Sequence, residues 1–329
     1  MKYANEISDG EKIESVFAAT EKQLKKTRAG KPFLSLRLAD KTGSIESVAW
    51  DNAEAFALRF EKGDIVAVRA EAGLYNGNLQ LTVKDIKKVQ APDDYLPRIL
   101  PATDRDVEAM LSELKAAAQD VGTGWLRELI QGFLDDSAFM EAFRKSPAAK
   151  GMHHVFAGGL LQHTLKVVRL ARLIFEEYAA ADPLVASMID KDLLVAGAFL
   201  HDIGKIEELS PGAGFDYTFR GKLLGHVTLG LMALKERLDG IKNIDREKAD
   251  LLMHMVISHH GEYEYGSPKM PMCMEAMILH YADNLDAKLQ GLAEFADKDV
   301  QEGKFTAWHR LYERQFYKGG DTDRDRSTG

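Results

Sequence analysis

Cysteine is almost missing: Cys273 is the one cysteine among 329 residues, which excludes an internal disulfide framework and agrees with a reducing compartment. Long apolar runs are missing too. No stretch approaches the roughly 18 consecutive apolar residues that a membrane span needs, and residues 1–9 are polar rather than signal-like, so a cytoplasmic protein with no membrane partner is expected. Proline is sparse, nine in all, yet Pro92, Pro97 and Pro101 fall close together and mark a break in the chain. A basic excess is also lacking, and the formal net charge of -8 argues against a globally basic nucleic-acid binder.

What is present is unevenly spread. Residues 1–90 hold 15 Lys and Arg against 13 Asp and Glu, whereas residues 91–329 hold 28 against 38. Within the first part, residues 22–31 (KQLKKTRAGK) carry five bases and no acid. A local stripe of that kind binds phosphates even in an acidic chain. The apolar fraction of 45% suffices for a full core without staples.

Residues 1–90 alternate as strands do, at 14–23, 33–38, 44–50, 64–71 and 79–86. Turn signals separate them at Gly30-Lys31-Pro32, Asp40-Lys41-Thr42-Gly43, Lys62-Gly63 and Asn76-Gly77, and residues 52–60 have helical character. Five strands with a helix between the third and fourth is the order of an OB-fold, a small Greek-key β-barrel that binds oligonucleotides. Residues 91–103 read as a linker. Residues 104–318 have helical periodicity, with helices expected at 104–119, 124–134, 137–144, 159–178, 183–202, 225–238, 245–258 and 272–296. The fold class is therefore multidomain α and β: a small N-terminal barrel followed by an all-α domain. Residues 319–329 (GGDTDRDRSTG) are too polar to pack and read as a disordered tail.

The chemistry concentrates around FLHDIGKI, residues 199–206, where His201 and Asp202 lie side by side in an apolar run. An unpaired buried charge is costly, so something must compensate the pair. A lone histidine on an apolar face is ordinarily a satisfied core residue, but here the placement is joint. His163 shares a helix face with Val167, Leu170 and Ile174; His226 opens another helix, His259 and His260 close the next, and Asp283 lies in the last. Imidazole and carboxylate are what Mn, Fe, Co, Ni or Zn accept, and a cation supplies the missing charge partner. A carboxylate such as Asp202 can bridge two such metals, and Lys205, one helical turn from His201, can hold a phosphate oxygen.

The order His163, His201-Asp202, His226, His259, Asp283 resembles the H…HD…H…H…D pattern of the HD-domain metal-dependent phosphohydrolases. That resemblance implies that His163, His201, Asp202 and Asp283 bind one metal, while His226 and His259, with Asp202 bridging, bind a second; His259 and His260 remain alternatives for one position. A narrower resemblance runs through GGLLQHTLKV, FLHDIGKI, LGHVTLG and ISHHGEYEYGSP behind the barrel, and is similar to the bacterial 3′-to-5′ exoribonucleases of the YhaM type. It implies two divalent cations, Mn first with Co, Fe, Ni, Zn or Mg as alternatives, a single-stranded RNA or DNA partner, and assembly into a homo-oligomer. FTAWHRLYERQFY, residues 305–317, resembles that family's C-terminal end. The HD-GYP cyclic-dinucleotide phosphodiesterases differ: their HHExxDGxGYP stands here as HHGEYEYGSPKMP, and Gly159 occupies the position from which some of them add a third-metal glutamate.

For the strand itself, Lys25, Lys26, Arg28 and Lys31 supply cations, Phe33, Arg37 and Trp50 lie on or beside strands 2 and 3, and Tyr75 sits at a hairpin tip. Phe33 and Trp50 suit the core of a small barrel equally well. His153 and His154 suit phosphate contact or local capping, His254 a structural role, His280 a partner near Asp283, and the methionines at 253, 255, 270, 272, 274 and 277 the filling of core gaps. The expected activity is two-metal 3′-to-5′ hydrolysis of single-stranded RNA, with Asp202 and Lys205 as catalytic residues and DNA as an alternative strand. Two other readings compete: an HD-type phosphohydrolase of a cyclic dinucleotide, a hyperphosphorylated guanosine nucleotide or a dNTP, and a non-catalytic single-strand-binding adaptor.

Overall fold

The computed structural model of the chain describes residues 1–89, 99, 103, 105–149, 156–209, 217–297, 299, 301 and 303–318. Most of the expected linker, His153 and His154, and the expected tail at 319–329 lie outside the described residues.

Five strands close into a barrel in the order β1-β2-β3-β5-β4: β1 (Lys12–Lys26), β2 (Pro32–Asp40), β3 (Gly43–Ala49), β4 (Ile65–Tyr75) and β5 (Asn78–Lys88). Closure depends on the length of β1. Its first half pairs with β4 and its second half with β2, and an irregularity between Ala19 and Glu21 bends it from one to the other. The remaining seam is the parallel contact of β3 with β5. Alternation puts Leu34, Leu36 and Leu38 of β2 inside with Phe17, Val66, Leu81 and Ile86. The tight β4–β5 turn places Asn76 and Gly77 at φ 50° and 81°, the left-handed backbone a two-residue hairpin demands.

The helix expected at 52–60 is shorter, α1 (Ala53–Ala57), because Phe60 turns back into the barrel core beside Phe56. Ile99 is buried against Val16, Ala18 and Ile65 on a separate side of the barrel.

The second part is helical: α2 (Val107–Gln119), α3 (Gly124–Leu134), α4 (Ser137–Lys145), α5 (Gly159–Ala181), α6 (Pro183–Ala186), α7 (Lys191–Leu200), α8 (Lys205–Glu208), α9 (Phe219–Gly240), α10 (Arg246–Ser258) and α11 (Met274–Asp297). One apolar cluster joins them, with α7 buried on every side from Leu193 to Leu200. No helix among the described residues is long and apolar enough to cross a membrane.

Three expectations need correction. The helix expected at 183–202 is two helices, because the carboxylates of Asp182 and Asp190 accept the amides of Val185 and Leu193 and start each one afresh. Periodicity hides the break, since Val185, Ile189 and Leu193 keep a four-residue spacing across it. Second, the helix expected from Gly225 begins at Phe219, where the Thr218 hydroxyl accepts the Gly221 amide, and Gly225 interrupts it. Third, only Met255 and Met253 of the methionine group join the core; Met270, Met272, Met274 and Met277 are exposed, around the start of α11.

Candidate metal centre and nucleic-acid surface

Helix ends build the cluster. His201 is the C-cap of α7, and the turn 201–204 carries Asp202 directly onto α9. A side chain at Gly204 would meet the His226 carbonyl at 2.0 Å, so this close approach requires glycine. Gly225, at φ 68° and ψ 159°, breaks the α9 ladder one residue before His226. The His226 amide is thereby free to donate to Glu208 Oε1 at 3.0 Å. His259 caps α10 and His260 follows it, while α5 and α11 bring His163 and Asp283 in from their middles.

Five imidazoles are oriented in the same way. His201 Nδ1 donates to the Ala198 carbonyl at 2.9 Å, His259 Nδ1 to that of Val256 at 2.6 Å, and His260 Nδ1 to that of Tyr265 at 2.9 Å. His163 Nδ1 meets Asp286 Oδ2 at 2.8 Å and His226 Nδ1 meets Glu208 Oε1 at 3.1 Å. A carbonyl or carboxylate only accepts, so each Nδ1 carries a proton and each ring turns its Nε2 toward the cluster. These nitrogens converge: His163 and His201 stand Nε2 to Nε2 at 3.2 Å, as do His226 and His260.

Asp202 stands between the two groups. Its Oδ2 lies 3.4 Å from His163 Nε2 and 3.3 Å from His201 Nε2. Its Oδ1 lies 3.6 Å from both His226 Nε2 and His259 Nε2. Asp283 Oδ1 adds to the first group, 3.1 Å from His163 and 3.9 Å from His201. Asp202 Oδ1 and His259 Nε2 are buried and have no hydrogen-bond partner. Two orphaned buried acceptors facing each other repel, and the nitrogen and oxygen donor set around them fits a divalent cation.

Charge in the cluster follows the same geometry. Burial would raise the Asp202 carboxyl, but Lys205 and His201 hold it well below the usual carboxylate range. Lys205 Nζ contacts Asp202 Oδ2 at 2.6 Å, so its ammonium faces the carboxylate, and the pair raises the lysine's pKa against burial. Burial, with His260 beside it, pushes His259 well below its ordinary value, the neutral state that a metal ligand needs. His163 goes the other way: its hydrogen bonds to the carboxylates of Asp202, Asp283 and Asp286 outweigh burial and raise it well above, so a cation there must displace its proton.

Sequence reasoning missed Asp286 and Glu208, the two carboxylates that hold the Nδ1 protons of His163 and His226. Asp286 stood one helical turn from Asp283, a spacing that offered a signal. Glu208 offered none. His280 is tied to the ligand loop, since its Nδ1 donates to the His259 carbonyl at 2.8 Å. His254 accepts the Met272 amide at 2.9 Å, away from the cluster.

On the barrel, Phe33 and Trp50 are outside the core. Their rings pack against each other, tilted by 31° with centroids 5.0 Å apart, and Trp50 is 41% exposed. Strand register sets Phe33 directly opposite Lys25, with Lys26 beside them opposite Pro32. Lys25, Lys26 and Arg28 are exposed and form no ion pair with a described residue. By contrast, Lys31 faces Asp51 at 3.0 Å, and Arg37 is held between Glu21 and Glu46. Tyr75 is exposed at the β4–β5 hairpin.

Comparisons with known proteins agree in outline. The HD domain family matches residues 160–288, and an OB-fold nucleic acid binding domain family matches residues 19–89. A protein of Geobacillus sp. (strain WCH70) named 3'-5' exoribonuclease YhaM is 36% identical over 297 residues, 88% of this chain and 86% of its own. The Bacillus subtilis (strain 168) protein of the same name is 35% identical over 88% of this chain and 89% of its own, and that of Oceanobacillus iheyensis is 33% identical over 94% of each. Among solved structures, the mitochondrial single-stranded DNA binding protein Rim1 of S. cerevisiae aligns whole with 26% of this chain, at 19% identity and a TM-score of 0.22.

Proposed function

Because the chain belongs to the family of YhaM 3′-to-5′ exoribonucleases, we propose that it shortens single-stranded RNA from the 3′ end by metal-dependent hydrolysis of phosphodiester bonds. The observation that carries this reading is Asp202, whose two carboxylate oxygens face separate histidine groups. His163, His201, Asp202 and Asp283 would hold one divalent cation; His226, His259 and Asp202, with His260 completing the set, would hold another. We take Mn as the first choice. Such cations, when bound, polarise phosphoryl oxygens and lower the pKa of a bound water.

The chain's own groups do the rest. Asp286 and Glu208 keep the His163 and His226 rings turned with Nε2 inward. Lys205, already on the wall of the cavity that opens onto the cluster, offsets charge developing on the phosphate. The exposed Lys25, Lys26 and Arg28 take strand phosphates, and Phe33 and Trp50 offer a ring surface for bases, each stacked base contributing roughly 1 to 3 kcal/mol. Tethering strand and centre in one chain raises their effective concentration. A hydrolase of small nucleotides has no use for that surface, and an adaptor has none for the cluster. Self-association and a cytoplasmic setting, in keeping with the single thiol Cys273, belong to the same reading.

The test is a 5′-labelled single-stranded oligoribonucleotide incubated with the protein, with and without Mn. A ladder that shortens from the 3′ end and needs the metal is expected. Internal cuts, or an intact strand, would refute the assignment, and a parallel DNA strand measures sugar preference.

A further inference from the structure

The cavity over the metal cluster, about 370 Å³, is walled on one side by Tyr265, Asn284 and Ala287. The same three residues wall a second cavity, about 560 Å³, whose far side is Lys288 of α11 and residues 311–314. That volume is within the roughly 300 to 1,000 Å³ of small-ligand sites. The two spaces therefore share a boundary.

We propose that the second cavity holds a nucleotide of the substrate strand adjoining the scissile bond, with Tyr312 stacking its base and Arg314 and Lys288 taking its phosphate. The proposal rests on the exoribonuclease reading and extends it to a binding subsite.

The C-terminal segment is built, not loose. Bridges join Phe305 to Tyr317 and His309 to Arg314, and the Thr306 amide donates to the Phe316 carbonyl at 2.8 Å. Lys318 is anchored to Asp299 at 3.1 Å, and the His309 ring packs on Phe295 of α11 with centroids 4.5 Å apart. His309 at 4.8 Å and Phe316 at 5.6 Å then fix the Tyr312 ring in place. A ring already held loses little freedom when a base stacks on it. Tyr265 adds a second ring to the wall, half of it exposed, from the residue whose carbonyl orients His260.

The cations fit the same use. Arg314 Nε donates to the Tyr312 carbonyl at 2.8 Å, which fixes the guanidinium while leaving its Nη groups free of any carboxylate among the described residues. Lys288 likewise has no acidic partner among them. Elsewhere in this acidic helical part Arg144, Arg169, Arg172 and Arg237 each face a carboxylate. Between Tyr312 and Arg314, Glu313 adopts a left-handed backbone at φ 50°, a strained geometry for a side chain of its kind, and gives the wall its one carboxylate.

The test compares Tyr312→Ala, Tyr312→Phe, Arg314→Gln and Lys288→Gln with the unaltered full chain, loaded with Mn, on a 20-residue labelled RNA. Tyr312→Ala and Arg314→Gln should each raise KM about tenfold with kcat nearly constant, the size of one lost stack or phosphate contact. Tyr312→Phe should behave as the parent, because stacking needs the ring and not the hydroxyl. Bound Mn should stay unchanged throughout, melting temperature should stay unchanged in Tyr312→Phe, Arg314→Gln and Lys288→Gln, and short intermediates should accumulate as the strand runs out of other contacts. Unchanged KM in both Arg314→Gln and Lys288→Gln, whose side chains are exposed and tolerate change, would overturn the subsite even if Tyr312→Ala failed to fold. Loss of Mn in Tyr312→Ala would make its role structural. No ladder from the parent protein would strike the exoribonuclease reading itself, a separate result.

Discussion

Asp202 Oδ1 and His259 Nε2 lie 3.6 Å apart, both buried and both without a hydrogen-bond partner. Each is an acceptor, since His259 Nδ1 already donates to Val256. Two acceptors facing each other in a dry interior repel unless a cation lies between them. Asp202→Asn keeps the shape and removes the charge. It should purify with markedly less Mn and lose about a hundredfold to a thousandfold in turnover, the cost of deleting a charge at the reacting centre. Metal content by plasma mass spectrometry and initial rates check this; normal values of both would exclude a bridging role.

Asp286 and Glu208 touch no substrate in this scheme, yet each fixes a histidine through its Nδ1 proton. Asp286→Asn and Glu208→Gln preserve volume but allow the amide to donate instead of accept, so the ring can present the wrong nitrogen. Metal affinity should fall by about 10-fold to 100-fold for each, the usual effect of losing an orienting partner. Added Mn should restore most of the rate. A rate that stays low at saturating Mn would mean that these carboxylates do more than position.

Asp190 caps α7, the helix that ends in His201, and its carboxylate also meets Lys248 Nζ at 2.6 Å. Burial would raise its pKa, but Lys248 and the Leu193 amide outweigh that and hold it below the ordinary 3.8. A depressed folded value means that the unfolded chain takes up the proton first. The stabilisation is therefore complete above the ordinary value and fades as pH falls through the folded one. The side chain is partly exposed, so screening limits the gain. Asp190→Asn should cost about 1 kcal/mol at pH 7 and progressively less in acid. Denaturant midpoints from pH 7 down to about pH 2 test it, and a difference that stays constant below the ordinary value of 3.8 would count against the ion pair.

Phe33 and Trp50 pack on each other outside the barrel core beside Lys25. Replacing either ring by Ala should leave the melting temperature nearly unchanged, because neither fills the core, and weaken binding of single-stranded RNA by about tenfold. Fluorescence anisotropy on a metal-free sample reads the affinity. A large drop in melting temperature with unaltered affinity would return both rings to a structural role.

How far the sequence reached can be followed residue by residue. Asn76-Gly77 announced a hairpin because few other pairs tolerate left-handed backbone at both positions. Strand alternation announced the barrel, yet β1 is longer than its pattern, since its last residues, from Leu24 to Lys26, pair with β2 while facing solvent. The helix break near Asp190 escaped because side-chain periodicity continues across it, whereas a cap is a hydrogen bond that no period records. The histidine and aspartate cluster was legible as residue types in order. Its orienting carboxylates were not, because one acid among the 51 in the chain looks like any other until a histidine is seen against it.

By itself the sequence determined a small barrel, a helical part and six ligand-type positions, because turn chemistry, periodicity and residue chemistry are local properties of a chain. Only the tertiary structure decided that Asp202 turns one oxygen toward His163 and His201 and the other toward His226 and His259. It also brought His260 into the second group and the C-terminal segment beside the first cavity. Those are distances between helices far apart in the chain, and they depend on how Gly204 lets its turn meet the His226 backbone and how Gly225 breaks the helix before His226, not on any spacing along it.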